Sequence, residues 1–272
     1  MSAPPFVLVR GAGDLATGVI LSLCRAGYLV GALEIERPTA IRRAVSLSEA
    51  MYEGEARVEG TRALRVGSAA EFAAALGPMT VPILADPEAA SAAILAPFAL
   101  VDAIIAKRNL GTRLSMAGVV VALGPGFVAG ADCHAVVETK RGPGLGRVIR
   151  EGGAEPDSGV PGLVEGYGSE RVVHAPSAGR IEALREIGGI VAAGEAIASI
   201  AGPAGSFVVA SPLGGALRGL IRPGIEVRQG AKIADVDPRG RRELCFSVSD
   251  KAWAVGAGVL EALRGAGHGP GA

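Results

Sequence analysis

From the start of the chain to about Ala99, short β-branched apolar runs alternate with Ala-rich stretches of helical character. The run Phe6–Arg10 predicts a buried strand, and residues 14–26 a helix. Residues 28–35 predict a second strand, and 39–51 a second helix with Thr39 as N-cap just after Pro38. A hairpin over 55–66, a helix near 69–76, a strand at 81–85, a helix near 88–95 and a strand at 99–105 continue the pattern. Runs at 119–123 and 134–138 extend the sheet, with a Gly124-Pro125-Gly126 turn between them. Strands alternating with helices predict an α/β fold, a Rossmann-like doubly wound and mostly parallel sheet covered on both faces.

The periodicity changes near Gly152, where a Gly/Pro-rich passage begins. Beyond it lies an internal repeat in one constant register. Pro176 matches Pro212, Gly179 Gly215, Ile181 Leu217, Leu184 Leu220, Gly188 Gly224, Val191 Val227, Gly194 Gly230, Ile197 Ile233 and Ile200 Val236. Each half is too small to bury its own apolar face, so the two copies must bury it together. The pattern resembles the biotinyl/lipoyl hammerhead fold and predicts a second, small all-β domain. Its hairpin at 201–207 contains no lysine, which argues against a biotin or lipoate carrier. Ser249 is placed to cap a last helix with Ala252, Val255, Val259 and Leu263 on one face. The expected domains are residues 1–168 (nucleotide-binding), 169–242 (hammerhead), 243–264 (strand and helix returning to the first domain) and 265–272 (disordered tail).

Composition narrows the function classes. Gly contributes 41 of 272 residues, roughly double the usual share of ~7%. Lys+Arg and Asp+Glu each number 27, so the basic excess of a nucleic-acid binder is missing. The longest apolar run, 89–106, is interrupted by Ser91, Pro97 and Asp102 and is expected not to span a membrane. Phe6–Arg10 follows the N-terminus too closely for a signal peptide, so a cytoplasmic location is expected. Cys24, Cys133 and Cys245 lie far apart, as do His134, His174 and His268, so no metal site is expected.

The segment from Arg10 to Gly18 sits between a buried strand and a helix. Gly11 permits the turn, Gly13 allows a phosphate to approach the backbone, and Ala16 allows close packing. Free amides at a helix start favour an anion. Asp14 would compete for them. An acid at the end of the second strand, Glu34 or Glu36, would hold a ribose hydroxyl, and one of Arg42 and Arg43 could pair with phosphate oxygens. Ligands of open α/β sheets bind beyond the carboxyl ends of the strands. Three polar clusters are expected there: Asp102 with Lys107, Arg108 and Asn109; the turn at Gly126; and Asp132-Cys133-His134 leading to Glu138 and Thr139. Catalytic candidates are Asp102, Lys107, Cys133 and His134.

The whole chain, about residues 6–264, resembles the selenium-dependent molybdenum hydroxylase system protein family (the YqeB type). The likeness is carried by VLVRGAGDLATG from Val7, by Ile41-Arg42-Arg43 with Ser48-Glu49-Ala50 and Tyr52, and by VDAIIAKRNLGT from Val101. It continues in LGPGFVAGADCHAVVETKRG from Leu123, LGRVIREGGAEPDSGVPG from Leu145, residues 217–222 and Ser249-Asp250-Lys251. The resemblance implies a Rossmann-like domain joined to a hammerhead-like one, and a role in maturing molybdenum hydroxylases that contain labile selenium. The expected ligand is a nucleotide or molybdopterin dinucleotide, and the expected partner a hydroxylase subunit, another maturation factor or further copies of the chain. Two other readings stay open: an NAD(P)-dependent oxidoreductase with Lys107 or His134 as acid/base, and a non-catalytic protein-binding adaptor.

Overall fold

The computed structural model describes residues 4–159, 162–202 and 205–265. The chain forms two compact units. One comprises Met1–Pro38, Ser46–Ser158 and Val248–Ala272, the other Thr39–Val45 and Gly159–Ser247.

The first unit is built on a nine-stranded sheet. Its strands are β1 (Phe6–Arg10), β2 (Leu29–Glu34), β3 (Glu55–Val58), β4 (Thr61–Val66), β5 (Thr80–Ala85), β6 (Ala99–Asp102), β7 (Val119–Leu123), β8 (Ala135–Val137) and β9 (Val148–Ile149). They lie in the order β3-β4-β5-β2-β1-β6-β7-β8-β9. The inner seven are parallel, and β3 and β9 add antiparallel edges. Central strands are apolar on both faces, as buried parallel strands must be: all five residues of β7 are buried. One face carries Leu8, Leu33, Leu100, Val120 and Val136, packed with Phe72 and Phe127. The helices are α1 (Asp14–Arg25), α2 (Ala50–Glu53), α3 (Ala69–Ala75), α4 (Ala92–Leu95) and α5 (Asp250–Gly265).

α1 and α5 pack through small residues. A Cβ on Gly18 would stand 2.6 Å from the Ala252 Cβ, and one on Gly256 would collide with Ser22. Because residue numbers rise together along this contact, the two helices run in the same direction. α5 covers β7, β8 and β9. Ser249 caps it, its Oγ accepting the Ala252 N–H at 3.2 Å.

The second unit holds β10 (Val172–His174), β11 (Gly179–Ala183), β12 (Ile190–Val191), β13 (Ala196–Gly202), β14 (Gly205–Ala210), β15 (Gly215–Leu220), β16 (Glu226–Val227) and β17 (Lys232–Asp237). They form two four-stranded antiparallel sheets, β10-β17-β15-β12 and β14-β13-β11-β16. The repeat halves exchange edge strands: β12 of the first half pairs with β15 of the second, and β16 of the second with β11 of the first. Ile181, Ile197, Ile200, Leu217, Leu220, Ile233 and Val236 close one shared core. At one repeat position the halves have diverged, since Leu184 is exposed where Leu220 is fully buried.

This architecture corrects the expected Rossmann-like doubly wound sheet with a small hammerhead domain. The large sheet is mixed, and its later crossovers hold too little helix to cover two faces. The β5–β6 crossover carries only the four-residue α4, and the β6–β7 crossover a single 3-10 turn at Leu114–Met116. The expected helix at 88–95 shrinks at its amino end, where Ala89 takes a left-handed φ of 56°, and it ends at Leu95 where expected. The expected helix at 39–51 becomes two 3-10 turns, Arg43–Val45 and Leu47–Glu49, followed by α2. The all-β part is two sheets tied by exchanged strands. The tip of the lysine-free hairpin (203–204) and the expected tail beyond Gly265 fall outside the described residues.

Candidate functional site

From β1 the sheet grows one way through β2, β5 and β4, and from β6 the other way through β7 and β8. In an open α/β sheet such a change of direction opens a crevice beyond the carboxyl ends of the two strands. The loops that follow β1 and β6 lie there.

The first loop is held from beneath. Gly11, at φ 102°, donates its N–H to the Leu33 carbonyl at 2.7 Å. The Glu34 carboxylate accepts the Ala12 N–H at 2.8 Å and its neighbour Ile35 N–H at 2.8 Å. Burial pushes the Glu34 carboxyl above its ordinary range, against the pull of those two N–H groups. The Ala12 carbonyl accepts the Ser48 N–H at 2.9 Å. The loop amides at 11 and 12 are therefore engaged inside the protein. What stays open is the start of α1. Gly13 caps it without a side-chain hydrogen bond, and a Cβ at Gly13 would meet nothing within 4 Å.

The second loop is anchored by a buried ion pair. Arg10, 1% exposed, meets the Asp102 carboxylate at 3.3 Å, the Thr112 hydroxyl, and the Pro87 and Leu110 carbonyls at 2.7 and 3.3 Å. Asp102 also accepts the Thr112 hydroxyl at 2.6 Å and the Ile104 N–H at 3.2 Å. Its carboxylate thus anchors the turn. Between these anchors, Ile105 and Lys107 both adopt φ 59°. Left-handed backbone at a β-branched residue costs about 1–3 kcal/mol and collects at functional sites. Gly126 is needed beside them, because a Cβ there would stand 2.5 Å from the Arg108 Cα. Lys107 Nζ reaches Asp157 at 2.6 Å, and Arg108 is exposed.

Not every expected residue joins this crevice. Asn109 turns away to the Thr112 carbonyl and to Asp132, at 2.8 and 3.2 Å. The third polar cluster is split by the length of β8: Glu138 and Thr139 follow its carboxyl end, whereas Asp132, Cys133 and His134 precede its amino end. His134 Nδ1 accepts the Val120 N–H at 2.9 Å, continuing the ladder of β7. Burial, reinforced by Asp132, pushes the Cys133 thiol up to about 11, and burial pushes Cys24 up to about 12. Iodoacetamide at pH 8 is expected to label none of the three buried cysteines of the folded protein, and all three after denaturation, as read by mass spectrometry. Arg42 and Arg43 lie in the second unit, where Arg42 donates to the Leu244 and Ser247 carbonyls and Arg43 to Leu220. Glu36 pairs with Arg65.

Sequence reasoning assigned no role to Lys251. It is half-buried at the start of α5, among Asp14, Glu138, Arg141 and Asp157. Burial and then the Arg141 charge hold its ammonium below the usual lysine range, outweighing the three carboxylates. Among the described residues, no group of three or more His, Cys, Asp or Glu is arranged for a metal ion, and no helix is long and apolar enough to cross a membrane.

Over 262 residues the chain is 47% identical to the uncharacterized protein YqeB of Escherichia coli strain K12, which accounts for 96% of this chain. The similarity to YqeB runs over nearly the whole of this chain. It covers 48% of YqeB, so it spans about half the length of that curated relative. No family model matches. Among solved structures, a succinylglutamate desuccinylase/aspartoacylase from Rhodobacter sphaeroides overlaps with 86% of this chain and 85% of that one, at 12% identity and a TM-score of 0.30. The product-bound ectoine utilization protein EutE (DoeB) of Ruegeria pomeroyi covers the same shares at 12% identity and a TM-score of 0.27. At these scores neither fold nor chemistry transfers to this chain.

Proposed function

We propose that this protein is an accessory factor in the maturation of selenium-dependent molybdenum hydroxylases, and that it holds a nucleotide or molybdopterin dinucleotide at the loop from Gly11 to Gly18. The observation that carries the binding part is the uncapped start of α1, open at Gly13 and set at the change of direction of the sheet. A helix start of this kind favours a phosphate group by about 0.3–1 kcal/mol when exposed, and by more when partly buried. Lys107 and Arg108 on the neighbouring loop add positive charge. The maturation role is supported by the family resemblance. Several segments that carry it, after β1, β6, β7 and β8 and at the start of α5, are brought by the fold to one end of the sheet. In this reading the protein works in the cytoplasm with a hydroxylase subunit or another maturation factor.

Gly13→Glu tests the binding part. The space at Gly13 accepts a side chain, so the melting temperature should hold, while the added carboxylate opposes an anion. Calorimetric titration with molybdopterin dinucleotide is expected to show binding by the wild type and at least about a tenfold loss in the variant. A wild type that binds neither molybdopterin dinucleotide nor NAD(P) overturns the proposal.

A further inference from the structure

We propose that β14 is a docking edge for a second copy of this chain, which pairs with it antiparallel about a two-fold axis at Val208. The pairing joins two four-stranded sheets into one. This surface lies wholly within the second unit and is independent of the helix-start reading above.

An edge strand offers unpaired backbone groups, and folded proteins blunt such edges with charge, proline or short length. Among the described residues the other sheet edges are blunted in this way. β9, β12 and β16 are two residues long, β10 is three residues long and follows Arg171, and β3 carries Glu55 and Arg57. β14 is different. It has six residues, Gly-Ser-Phe-Val-Val-Ala, none of them charged and none proline. Its outer side bears Val208, 66% exposed, between the exposed Ser206 and Ala210. Val209 is buried on the inner side and Phe207 half-buried.

The direction of the free backbone groups follows from Ser211. Its N–H donates to the Glu195 carbonyl and its carbonyl accepts the Gly194 N–H, both at 2.8 Å. Ser211 thus bonds toward β13, as do Val209 and Phe207 by alternation, and Ser206, Val208 and Ala210 turn their N–H and C=O groups to the open side. That set is self-complementary. In an antiparallel pair centred on Val208, Val208 meets its own counterpart and Ser206 meets the Ala210 counterpart. All are hydrogen-bonded pairs, with Cα atoms about 5.5 Å apart. The register also keeps the faces in phase. Phe207 falls opposite the Val209 counterpart, so apolar side chains continue the inner face across the seam and the half-buried ring gains cover. None of the β13 residues paired with β14 is charged, so the two-fold sets no like charges against each other. A strand from an unrelated protein would meet these demands by chance, whereas a second copy meets them by symmetry.

One edge-to-edge contact buries less than the ~1,200–2,000 Å² of a stable complex, so the dimer is expected to be weak, with a dissociation constant on the order of 10 µM. The test is sedimentation equilibrium of the full chain from about 1 to 200 µM, with monomer expected at the low end and dimer at the high end. Val208→Lys sets two ammonium groups against each other at the two-fold, and Val208→Glu two carboxylates. Each alone is expected to weaken dimerisation at least about tenfold, and an equimolar mixture of the two to restore it, because Lys then faces Glu. Val208→Thr keeps the branched shape and should dimerise like the wild type. The side chain is exposed, so all three variants should keep the wild-type circular dichroism spectrum and melting temperature in dilute solution. A wild type that stays monomeric throughout the range overturns the proposal. So does a dimer that neither charged variant weakens, which would place the contact elsewhere. Two monomeric variants that fail to recombine also overturn it, and would mark β14 as the docking edge for a strand of another protein.

Discussion

Asp102→Ala is expected to lower the stability of the first unit by about 3–5 kcal/mol, a large share of the roughly 5–15 kcal/mol that holds a domain folded. Asp102 and Arg10 are each 1% exposed, and the substitution leaves the Arg10 guanidinium without its counter-charge in the interior. Thr112, 2% exposed, loses an acceptor in the same step, and the Ile104 N–H loses its partner. Asp102→Asn keeps the shape but not the charge and should be nearly as damaging. The double substitution Arg10→Met with Asp102→Leu should recover much of the loss, because it is the unpaired charge that is expensive. Urea titrations followed by circular dichroism would measure all three. Near-wild-type stability in Asp102→Ala would mean that the pair does not anchor the turn after β6.

The second large effect is at the α1–α5 contact. Replacing glycine by alanine inside a helix ordinarily stabilises it by about 1 kcal/mol. Gly18→Ala should do the opposite, because its Cβ would lie 2.6 Å from the Ala252 Cβ and 2.8 Å from the Ala252 carbonyl carbon. Gly18→Val should cost about 3 kcal/mol or more, a fall of roughly 6–12 °C in melting temperature for a unit of this size. Calorimetric melting of Gly18→Ala decides the sign, and a rise would refute the close packing.

Much of this could be read along the chain. β1, the glycines after it and α1 follow from an apolar run, a turn that needs positive φ and a short amphipathic stretch. The repeat was visible because glycines and apolar residues recur in one register. What was hidden depends on partners distant in sequence. Residues 39–45 read as helix, yet they belong to the second unit, where Ile41 and Ala44 pack on its core, and that packing overrides local propensity. Strand direction cannot be read from alternation, so Cys133 and His134 were assigned to the wrong end of β8. Arg42 and Arg43 look like phosphate ligands until the backbone carbonyls they bind are known. Lys251 resembles any exposed lysine at a helix start. The small residues Gly18, Ser22, Ala252 and Gly256 at helical spacing were the available sign that two helices approach closely.

The traded edge strands of the second unit bear on its synthesis. Strand β11 waits for β16, and β12 for β15, so the earlier half cannot finish its sheet while the later half is still in the ribosome. Ile181, Ile197 and Ile200 emerge with no complete cover and stay uncovered until the chain has been made through about Asp237. The interval is a window for misassociation, and it would be shortest if both halves condense together in a single late step.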